Sequence, residues 1–299
     1  MRILITGGTG FIGQALCRRL HELGHHLLVV SRHPDKAAAR LPAGTRVASE
    51  VDALAEARPE ALVNLAGEPI FGRRWSHAQK RRLVESRTAV TAALVALCGR
   101  LDPPPKVLVS ASAMGWYGDQ GDRVVDEFTA PAPSYEHDLC AAWEAEAQRA
   151  AALGTRVAIA RIGLVLDRDG GLLARMLPAF RLGLGGRLGD GRQYMPWIHR
   201  RDLVRALIFV LDNDRLDGPF NMAAPHPVRN ADFAAALARK LGRPAWLAMP
   251  APLLNLMFGE MARLMLTGAD MRPKRLLEAG FEFDFPQLEA ALDQILSNG

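Results

Sequence analysis

Three glycines spaced three residues apart, Gly7, Gly10 and Gly13, stand near the start of the chain in a pattern that could surround a phosphate. They directly follow the β-branched apolar run Arg2-Ile3-Leu4-Ile5-Thr6, and leucines at helical spacing follow them as far as Gly24. A strand, a tight glycine turn and a helix start form the corner at which dinucleotide-binding folds hold a pyrophosphate. The glycines let the backbone approach the ligand, and the helix start presents free N–H groups and a positive dipole. The pattern predicts dinucleotide binding, with an ordinary strand–helix turn as the alternative.

The end of the second predicted strand indicates which dinucleotide would bind. An acidic residue about 20 positions after the glycine loop would bind the adenosine ribose and favour NAD. This chain has Ser31 and Arg32 there, and its first carboxylate is Asp35. Because a guanidinium makes charge-assisted bonds to a 2′-phosphate, the sequence favours NADP(H) as cofactor. The alternative is a solvated surface arginine.

Polar residues also follow two later strands. The buried run 61–67 contains Asn64, and the next predicted strand ends in Ser110 and Ser112, shortly before Tyr117. Parallel strands present ligands at their carboxyl ends, so we expect these residues beside the glycine loop, with the small hydroxyl residues over the nicotinamide.

A basic segment and a helix separate those two strands. The segment runs from Arg73 to Arg82, and the helix carries Leu83, Val90, Leu94 and Leu97 on one face. Arg87 lies on this helix and could contact a phosphate of cofactor or substrate. A solvated basic face is the alternative interpretation.

The order of the predicted elements indicates the fold class. Strands and helices alternate up to about residue 167, including a strand over 156–161, and the alternation then fades. This pattern is typical of an α/β fold, a Rossmann-type doubly wound parallel sheet with a small C-terminal α/β lobe. We predict a dinucleotide-binding core over 1–167 and a mostly substrate-facing lobe over 168–299, with 197–223 returning to the core.

Composition narrows the class of partner. The 299 residues carry a net charge of +5, which suits an anionic ligand. Nucleic-acid binding is not expected, because only five of the basic residues are lysines, aromatic residues are sparse and the positive charges are scattered. We therefore expect a small-molecule substrate and leave a homodimer open.

The cysteines and the apolar segments indicate the compartment. Cys17, Cys98 and Cys140 are far apart and odd in number, which predicts reduced thiols and no metal site. The first strand begins at Arg2, so we expect no signal peptide. No segment has the roughly 20 apolar residues that a membrane span needs. The expected location is cytoplasmic, without membrane contact.

These motifs together resemble the extended short-chain dehydrogenase/reductases, which include the nucleotide-sugar epimerases and dehydratases. The chain is most similar to the poorly characterised branch called "epimerase family protein", from Met1 to about Leu296. The motifs that carry this resemblance are GGTGFIG (7–13), NLAGE (64–68), RRW (73–75), SASAMGWYG (110–118), WEAEA (143–147), the Trp197-Ile198-His199-x-x-Asp202 segment and PKRLLEAGF (273–281).

The resemblance implies an NADP-type cofactor and assigns residues to its binding. By this resemblance, the glycines hold the pyrophosphate, Ser31 and Arg32 take the 2′-phosphate, and Ser112 hydrogen-bonds the reacting oxygen. The other residues implied at the groove are Phe11 and Ile12 at the helix start, Asn64, Ala66, Gly67 and Glu68 after the third core strand, and Ile162 and Gly163 near the nicotinamide amide.

The chain departs from the wider superfamily at the catalytic Tyr-x-x-x-Lys pair. In that pair the lysine lies one turn from the tyrosine, lowers its pKa and binds the nicotinamide ribose. The residues four positions after the three tyrosines, Tyr117, Tyr135 and Tyr194, are Gly, Leu and Ile, so the chain has no such pair. Aligning the helix on its Trp-Glu dipeptide instead places Glu136 and Cys140 at the two positions.

Several side chains are candidates to replace the pair. We predict Ser112 and Tyr117 as the catalytic residues. Weaker candidates are Tyr135, Glu136, His137, Asp138 and His199. The sequence thus favours an NADP(H)-dependent oxidoreductase or epimerase acting by hydride transfer on a small polar, nucleotide-sugar-like substrate. The alternative is a regulatory or sensor protein that binds NADP(H) without turnover.

Overall fold

A computed structural model describes residues 1–297. Within them, the chain forms short strands throughout its length. In chain order these are β1 (Arg2–Thr6), β2 (His26–Val30), β3 (Arg46–Ala48), β4 (Ala61–Asn64), β5 (Val107–Ala113), β6 (Val124–Val125), β7 (Arg156–Ile162), β8 (Leu164–Asp167), β9 (Tyr194–Met195), β10 (Trp197–His199), β11 (Gly218–Met222), β12 (Val228–Arg229) and β13 (Asp270–Met271).

Helices connect most of these strands. They are α1 (Phe11–Glu22), α2 (Pro34–Ala38), α3 (His77–Arg100), α4 (Tyr135–Gln148), α5 (Gly171–Arg181), α6 (Arg200–Asp212), α7 (Asn230–Leu241), α8 (Ala251–Phe258), α9 (Arg263–Leu266), α10 (Lys274–Glu278) and α11 (Leu288–Ser297). Short 3₁₀ helices cover Asp52–Ala57, Met114–Tyr117, Arg149–Leu153 and Gly259–Ala262. None of the helices in residues 1–297 is both long and apolar enough to cross a bilayer.

Seven strands form the central sheet, in the order β11-β7-β5-β4-β1-β2-β3. Every pairing in this sheet is parallel. The strand order reverses between β1 and β4, which is the point where open α/β sheets bind ligands at the carboxyl ends of their strands. The predicted α/β class with a parallel central sheet is therefore confirmed.

Helices cover both faces of the sheet, because successive strand residues point to opposite sides. On one face Ile3 and Ile5 join a core with Leu16 of α1 and Leu207 of α6. On the other face the intervening Leu4 packs with residues of α3 and with the end of α4. Each strand of the centre is thus buried on both sides, as its nearly continuous apolar sequence requires.

A second core lies in the C-terminal part of the chain. Helices α5, α7 and α11 pack together through Leu177, Phe233 and Leu292, with Trp197 of β10 among them. Three two-stranded pairs, β10–β8, β12–β9 and β13–β6, border this part. The strand β11 returns to the central sheet beside β7. The division into domains at residue 167 stays a prediction.

Candidate functional site

The glycine turn between β1 and α1 is packed too tightly for side chains. Gly7 has a φ of +73°, and a Cβ there would lie 2.6 Å from the carbonyl carbon of Leu65. A Cβ on Gly13 would lie 2.2 Å from the oxygen of Gly7. Gly10 is different, because a Cβ there would meet only that oxygen, at 3.2 Å, and otherwise open space. The turn therefore brings the backbone of β1, the start of α1 and the loop after β4 together around an open corner.

Ser31 and Arg32 lie at the end of β2, on the far side of β1 from β4. Arg32 is exposed, and Ser31 is partly exposed. The Ser31 hydroxyl accepts a hydrogen bond from the main-chain N–H of His33 at 3.3 Å. The structure thus places a cation and a hydroxyl next to each other after β2, both at least partly exposed.

Asn64 and Ser110 lie side by side in the centre of the sheet and are fully buried. Thr6 Oγ1 donates to Asn64 Oδ1 at 2.7 Å, and Asn64 Nδ2 donates to Thr91 Oγ1 at 2.8 Å and Ser110 Oγ at 3.2 Å. The Asn64 side chain thus links β1, β4, β5 and α3 at the carboxyl end of β4.

The loop after β4 rests on α3. The N–H of Glu68 donates to the Ser86 hydroxyl at 3.1 Å, and Gln79 Nε2 donates to the Glu68 carboxylate at 3.0 Å. Arg87 donates to the carbonyl oxygen of Glu68 at 3.0 Å. Gly67 is exposed, and Ala66 and Glu68 are partly exposed. Helix α3 therefore fixes the loop that borders the glycine turn.

Ser112 faces α4, not open space. Its hydroxyl donates to Glu144 Oε1 at 2.6 Å. Arg161 of β7 binds the same carboxylate with two parallel hydrogen bonds of 3.0 Å, from Nε to Oε1 and from Nη2 to Oε2. All three residues are buried. Arg161 thus balances the charge of Glu144 inside the protein, and the uncharged Ser112 hydroxyl donates one further hydrogen bond to the same carboxylate.

Tyr117 belongs to the same buried network. Its hydroxyl donates to Asn221 Oδ1 at 2.7 Å and accepts from Arg161 Nη1 at 3.1 Å. Burial raises the pKa of Tyr117 to about 12, although Arg161 opposes the rise. The structure therefore joins the two predicted catalytic residues, Ser112 and Tyr117, through Glu144 and Arg161, and both hydroxyls are occupied by protein partners.

Sequence reasoning missed Glu144, Arg161 and Asn221. Arg161 and Asn221 each interrupt a run of apolar residues in a strand, at 157–162 and 219–223. A charged or amide side chain in such a run indicates a buried partner. The sequence therefore indicates that Arg161 and Asn221 each have a buried partner, but it does not indicate which residue that partner is.

The remaining predicted groove residues lie around the same edge. Phe11 is covered by the turn at Gly170, where a Cβ would lie 2.4 Å from its ring, and Ile12 is partly buried. Gly163 follows Ile162 and has no room for a Cβ, which would lie 2.4 Å from the Pro196 oxygen. Close packing thus accounts for the glycine after β7.

A cavity of about 620 Å³ opens between the start of α4 and the C-terminal part. Tyr135 and Glu136 of α4 line it, and the Tyr135 hydroxyl donates to the carbonyl oxygen of Lys80 at 3.0 Å. Burial raises the pKa of Tyr135 to about 12, and Arg87 opposes that rise. The other lining residues are Trp75, Lys80, Asn255, Gly259, Glu260, Arg263, Leu266 and Thr267.

Two basic residues hold the outer wall of this cavity to the core. Arg74 donates from Nε to the carbonyl oxygen of Met257 at 3.1 Å and also contacts that of Leu256. Lys80 forms an ion pair with Glu260. Arg74, just before α3, and Lys80, in its first turn, therefore bind the chain around α8.

The other candidates for the missing pair lie near the starts of α4 and α6. His137 Nδ1 lies 2.8 Å from the carbonyl oxygen of Trp116, and Asp138 lies in the first turn of α4. Cys140 is buried, and burial raises the pKa of its thiol to about 11. His199 is buried at the start of α6.

The residues of this site fit a dinucleotide. Gly7 and Gly13 form a corner without side chains at a helix start, the arrangement that binds a pyrophosphate. Arg87 Nε is a buried donor without a hydrogen-bond partner among the described residues. An extended ligand that carries phosphates and ribose oxygens would suit both features.

Comparison with known proteins agrees with this architecture. Residues 3–223 match the NAD dependent epimerase/dehydratase family, and residues 249–295 match a domain of unknown function, DUF1731. The chain is 40% identical over 297 residues to an epimerase family protein of Mycobacterium bovis, covering 97% of this chain and 96% of that one. It is 39% identical to a chloroplastic epimerase family protein SDR39U1 homolog of Arabidopsis thaliana, covering 99% and 87%.

A solved structure is similar over the whole chain. The crystal structure of human epimerase family protein SDR39U1 (isoform 2) with NADPH superimposes with a TM-score of 0.90 at 36% identity, covering 100% of both chains. The resemblance drawn from the motifs is confirmed, and the chain belongs to the NAD dependent epimerase/dehydratase family, in the branch of the epimerase family proteins.

Proposed function

We propose that this protein binds NADP(H) and acts as an oxidoreductase or epimerase on a small polar substrate. The observation that carries the proposal is the glycine corner. Gly7 and Gly13 pack so closely against the main chain that no side chain fits there, and Gly10 between them faces open space. An open corner without side chains at a helix start suits a pyrophosphate. Arg32 at the end of β2 supports the choice of the 2′-phosphorylated cofactor. The NADPH in the crystal structure of the similar human protein also supports it.

The cavity beside α4 is the proposed substrate site. Glu136 lines the cavity and packs against Gly115, which lies two residues after the end of β5. A dinucleotide bound across the β1/β4 switch point would extend its nicotinamide half towards β5. The cavity lining combines two aromatic rings, of Trp75 and Tyr135, with cations and carboxylates. This chemistry suits a polar molecule with a planar or sugar-like part, and a nucleotide-sugar is the finer proposal.

The bound nicotinamide would supply or accept the hydride. Ser112 and Tyr117 stay the predicted catalytic pair. Their hydroxyls are bonded within the buried network that contains Glu144 and Arg161, so these hydrogen bonds must break before either hydroxyl contacts a substrate. Tyr135 is the tyrosine whose ring lines the cavity. Its hydroxyl donates to the carbonyl oxygen of Lys80, so that bond must also be released before Tyr135 can transfer a proton.

A single-turnover assay tests the proposal and ranks these residues. Protein with bound NADPH or NADP⁺ is mixed with a panel of carbonyl compounds, alcohols and sugar nucleotides, and nicotinamide absorbance and product are followed together. Loss of turnover in Ser112→Ala and Tyr117→Phe, with Tyr135→Phe active, would support the predicted pair. The opposite pattern would assign proton transfer to Tyr135.

The second candidate is a protein that binds NADP(H) and senses it without turnover. The observation in its favour is that the Ser112 and Tyr117 hydroxyls are already bonded to Glu144 and Asn221. Cofactor turnover coupled to product formation with any member of the panel would exclude it. Tight NADPH binding with no turnover across the panel would favour it.

Three expectations from the sequence remain proposals. We propose a cytoplasmic location, based on three free, buried cysteines. We propose no nucleic-acid partner, because the basic residues are dispersed. A homodimer remains open, and sedimentation of the purified protein would decide it.

A further inference from the structure

Glu136 is a buried carboxylate that has no partner in the protein. It lies in the first turn of α4 and is 7% exposed. Within residues 1–297 its carboxylate accepts no hydrogen bond and forms no ion pair. The two other glutamates of α4 are paired, Glu144 with Arg161 and Glu146 with Arg149. Because burying an unpaired carboxylate costs free energy, a group on a ligand is the expected partner of Glu136.

The start of α4 packs against the end of β5. A Cβ on Gly115, in the 3₁₀ helix that follows β5, would lie 3.1 Å from the Cβ of Glu136. One turn further along α4, Cys140 Sγ lies 3.8 Å from the carbonyl oxygen of Ala113, the last residue of β5. The carboxyl ends of the strands are where this type of sheet binds ligands. Glu136 therefore lies at the ligand-binding end of the sheet, next to the strand that carries Ser112.

Glu136 is also part of the lining of the 620 Å³ cavity. The other ionisable groups of that lining are either paired or unable to accept a proton. Lys80 forms an ion pair with Glu260, and the Tyr135 hydroxyl donates to the carbonyl oxygen of Lys80. Arg263 is a permanent cation and only donates. Among the described residues of the lining, Glu136 is therefore the side chain that is free to accept a proton from a ligand.

The hydroxyls near Glu136 are poor proton acceptors. Burial raises the pKa of Tyr117 and that of Tyr135 to about 12 each, and the charge of Glu136 adds to the rise at Tyr135. The lysine that would lower a tyrosine pKa is absent, because the chain has no Tyr-x-x-x-Lys pair. The Ser112 hydroxyl is neutral and donates to Glu144. The site thus has neutral hydroxyls that can donate to an oxygen, and it needs a separate base.

We propose that Glu136 is the general base of this site and that it accepts the hydroxyl proton of an alcohol substrate bound in the cavity. In the oxidation, the O–H proton passes to a carboxylate oxygen of Glu136. The carbinol C–H bond breaks, its hydrogen leaves as hydride to NADP⁺ and the C=O bond forms, so the alcohol is oxidised and NADP⁺ is reduced. The reverse reaction returns the proton to the carbonyl oxygen. The inference rests on the proposed function and adds the base that Ser112 and Tyr117 do not provide.

A complex that cannot react tests the contact between Glu136 and the hydroxyl. Protein saturated with NADPH cannot oxidise an alcohol, so an alcohol that the single-turnover panel identifies as a substrate is titrated against it by calorimetry. The deoxy compound, with hydrogen in place of the hydroxyl, is titrated in parallel. Glu136→Gln should weaken binding of the alcohol by about tenfold and leave binding of the deoxy compound and of NADPH unchanged. Glu146→Gln, on the same helix, is the matched control and should change none of them.

Transfer of the proton is tested by single turnover of the same alcohol with NADP⁺. Glu136→Gln should react more slowly by about a hundredfold or more. Glu136→Ala should be equally slow and regain part of the rate when formate is added, because this small carboxylate can occupy the vacated space. A wild-type rate in Glu136→Gln would overturn the inference, as would equal weakening of the alcohol and the deoxy compound.

A purely structural role for Glu136 predicts a different set of results. In that case both variants would melt at lower temperature, bind NADPH more weakly and gain nothing from formate. We expect instead that free Glu136→Gln melts no lower than the wild type, because an unpaired buried charge has been removed. If the glutamine variant does not fold, Glu136→Ala decides the matter, and a rate that does not respond to formate overturns the inference. A wild-type protein that turns over no member of the panel refutes the proposed function, and the inference with it.

Discussion

At the scale of single residues, the ion pair between Glu144 and Arg161 is a buried pair of charges beneath the site. Its two side chains are only 9% and 4% exposed, and their closest N–O distance is 3.0 Å. Removing one partner of such a pair leaves the other charge buried alone. We expect Glu144→Gln to lower the free energy of unfolding by about 3–5 kcal/mol, measured by urea denaturation.

Glu146 on the same helix provides the control for this prediction. It pairs with Arg149 at 2.7 Å, but the arginine side chain is 66% exposed. Glu146→Gln should therefore lower the free energy of unfolding by less than about 1 kcal/mol. Equal stability losses in the two variants would show that the buried network contributes no more than a surface pair.

Gly13 tests the glycine corner at the same scale. A Cβ at this position would lie 2.2 Å from a main-chain oxygen, so the turn itself has to move. Gly13→Ala should lower the free energy of unfolding by about 1–3 kcal/mol or more and abolish NADPH binding, which is measured by fluorescence titration.

Gly99→Ala in α3 is the control, because a Cβ there has room: it would meet Leu153 methyl groups at the ordinary contact distances of 3.6 and 3.7 Å. That change should raise stability by up to about 1 kcal/mol, since alanine favours a helix. NADPH affinity in Gly13→Ala equal to that of the wild type would contradict the role assigned to the corner.

At the scale of elements, His199 links the start of α6 to the last helix. Its Nδ1 accepts from the N–H of Arg201 at 3.1 Å, and its Nε2 lies 2.8 Å from Oε1 of Gln294. The amide oxygen only accepts, so Nε2 carries the proton and the ring is neutral. Burial lowers the pKa of His199 below its usual value.

This neutral histidine predicts a loss of stability in acid. Below about pH 6.5 the unfolded chain binds a proton at this residue that the folded chain does not, so folding becomes less favourable as pH falls. His199→Asn keeps a helix-capping side chain but does not titrate. We expect the stability of the wild type to fall more than that of the variant between about pH 7.5 and 5.5, by up to about 1 kcal/mol. Urea midpoints at both pH values measure this difference, and parallel curves would show that His199 does not titrate on unfolding.

The elements also show what the sequence could and could not predict. The strand expected over 156–161 extends over Arg156–Ile162, and the buried run at 61–67 contains the strand Ala61–Asn64. Their apolar patterns are local, so the sequence reveals them. The pairs β12–β9 and β13–β6 have two residues in each strand, too short for any pattern, and they depend on contacts between distant segments.

The same distinction applies to the site. The glycine corner and Arg32 could be predicted because their chemistry depends on local spacing along the chain. The engagement of the Ser112 hydroxyl by Glu144 could not, because β5 and α4 meet only in the folded protein. The exposure of Tyr135 to a cavity depends likewise on the segment around α8, more than a hundred residues away.

At the scale of the whole molecule, the sheet, the glycine corner and the C-terminal part act together. The parallel sheet places the polar strand ends at one edge. Arg87 of α3 binds the loop after β4, and Glu144 of α4 binds Ser112 of β5. The chain around α8 closes the cavity, held by Arg74 and by the pair of Lys80 with Glu260. We propose that this arrangement forms a cofactor groove with an adjoining substrate space.

The most direct test of NADP(H) binding at this groove is a fluorescence titration of the purified protein with NADPH and with NADH, repeated on Arg32→Ala. We expect the wild type to prefer NADPH. The variant should lose about tenfold to a hundredfold in NADPH affinity, the value of a charge-assisted bond to phosphate, with NADH binding unchanged. Equal binding of the two cofactors by the wild type would contradict the role of Arg32. Binding of neither by the folded protein would contradict the central claim, that the glycine corner holds a dinucleotide.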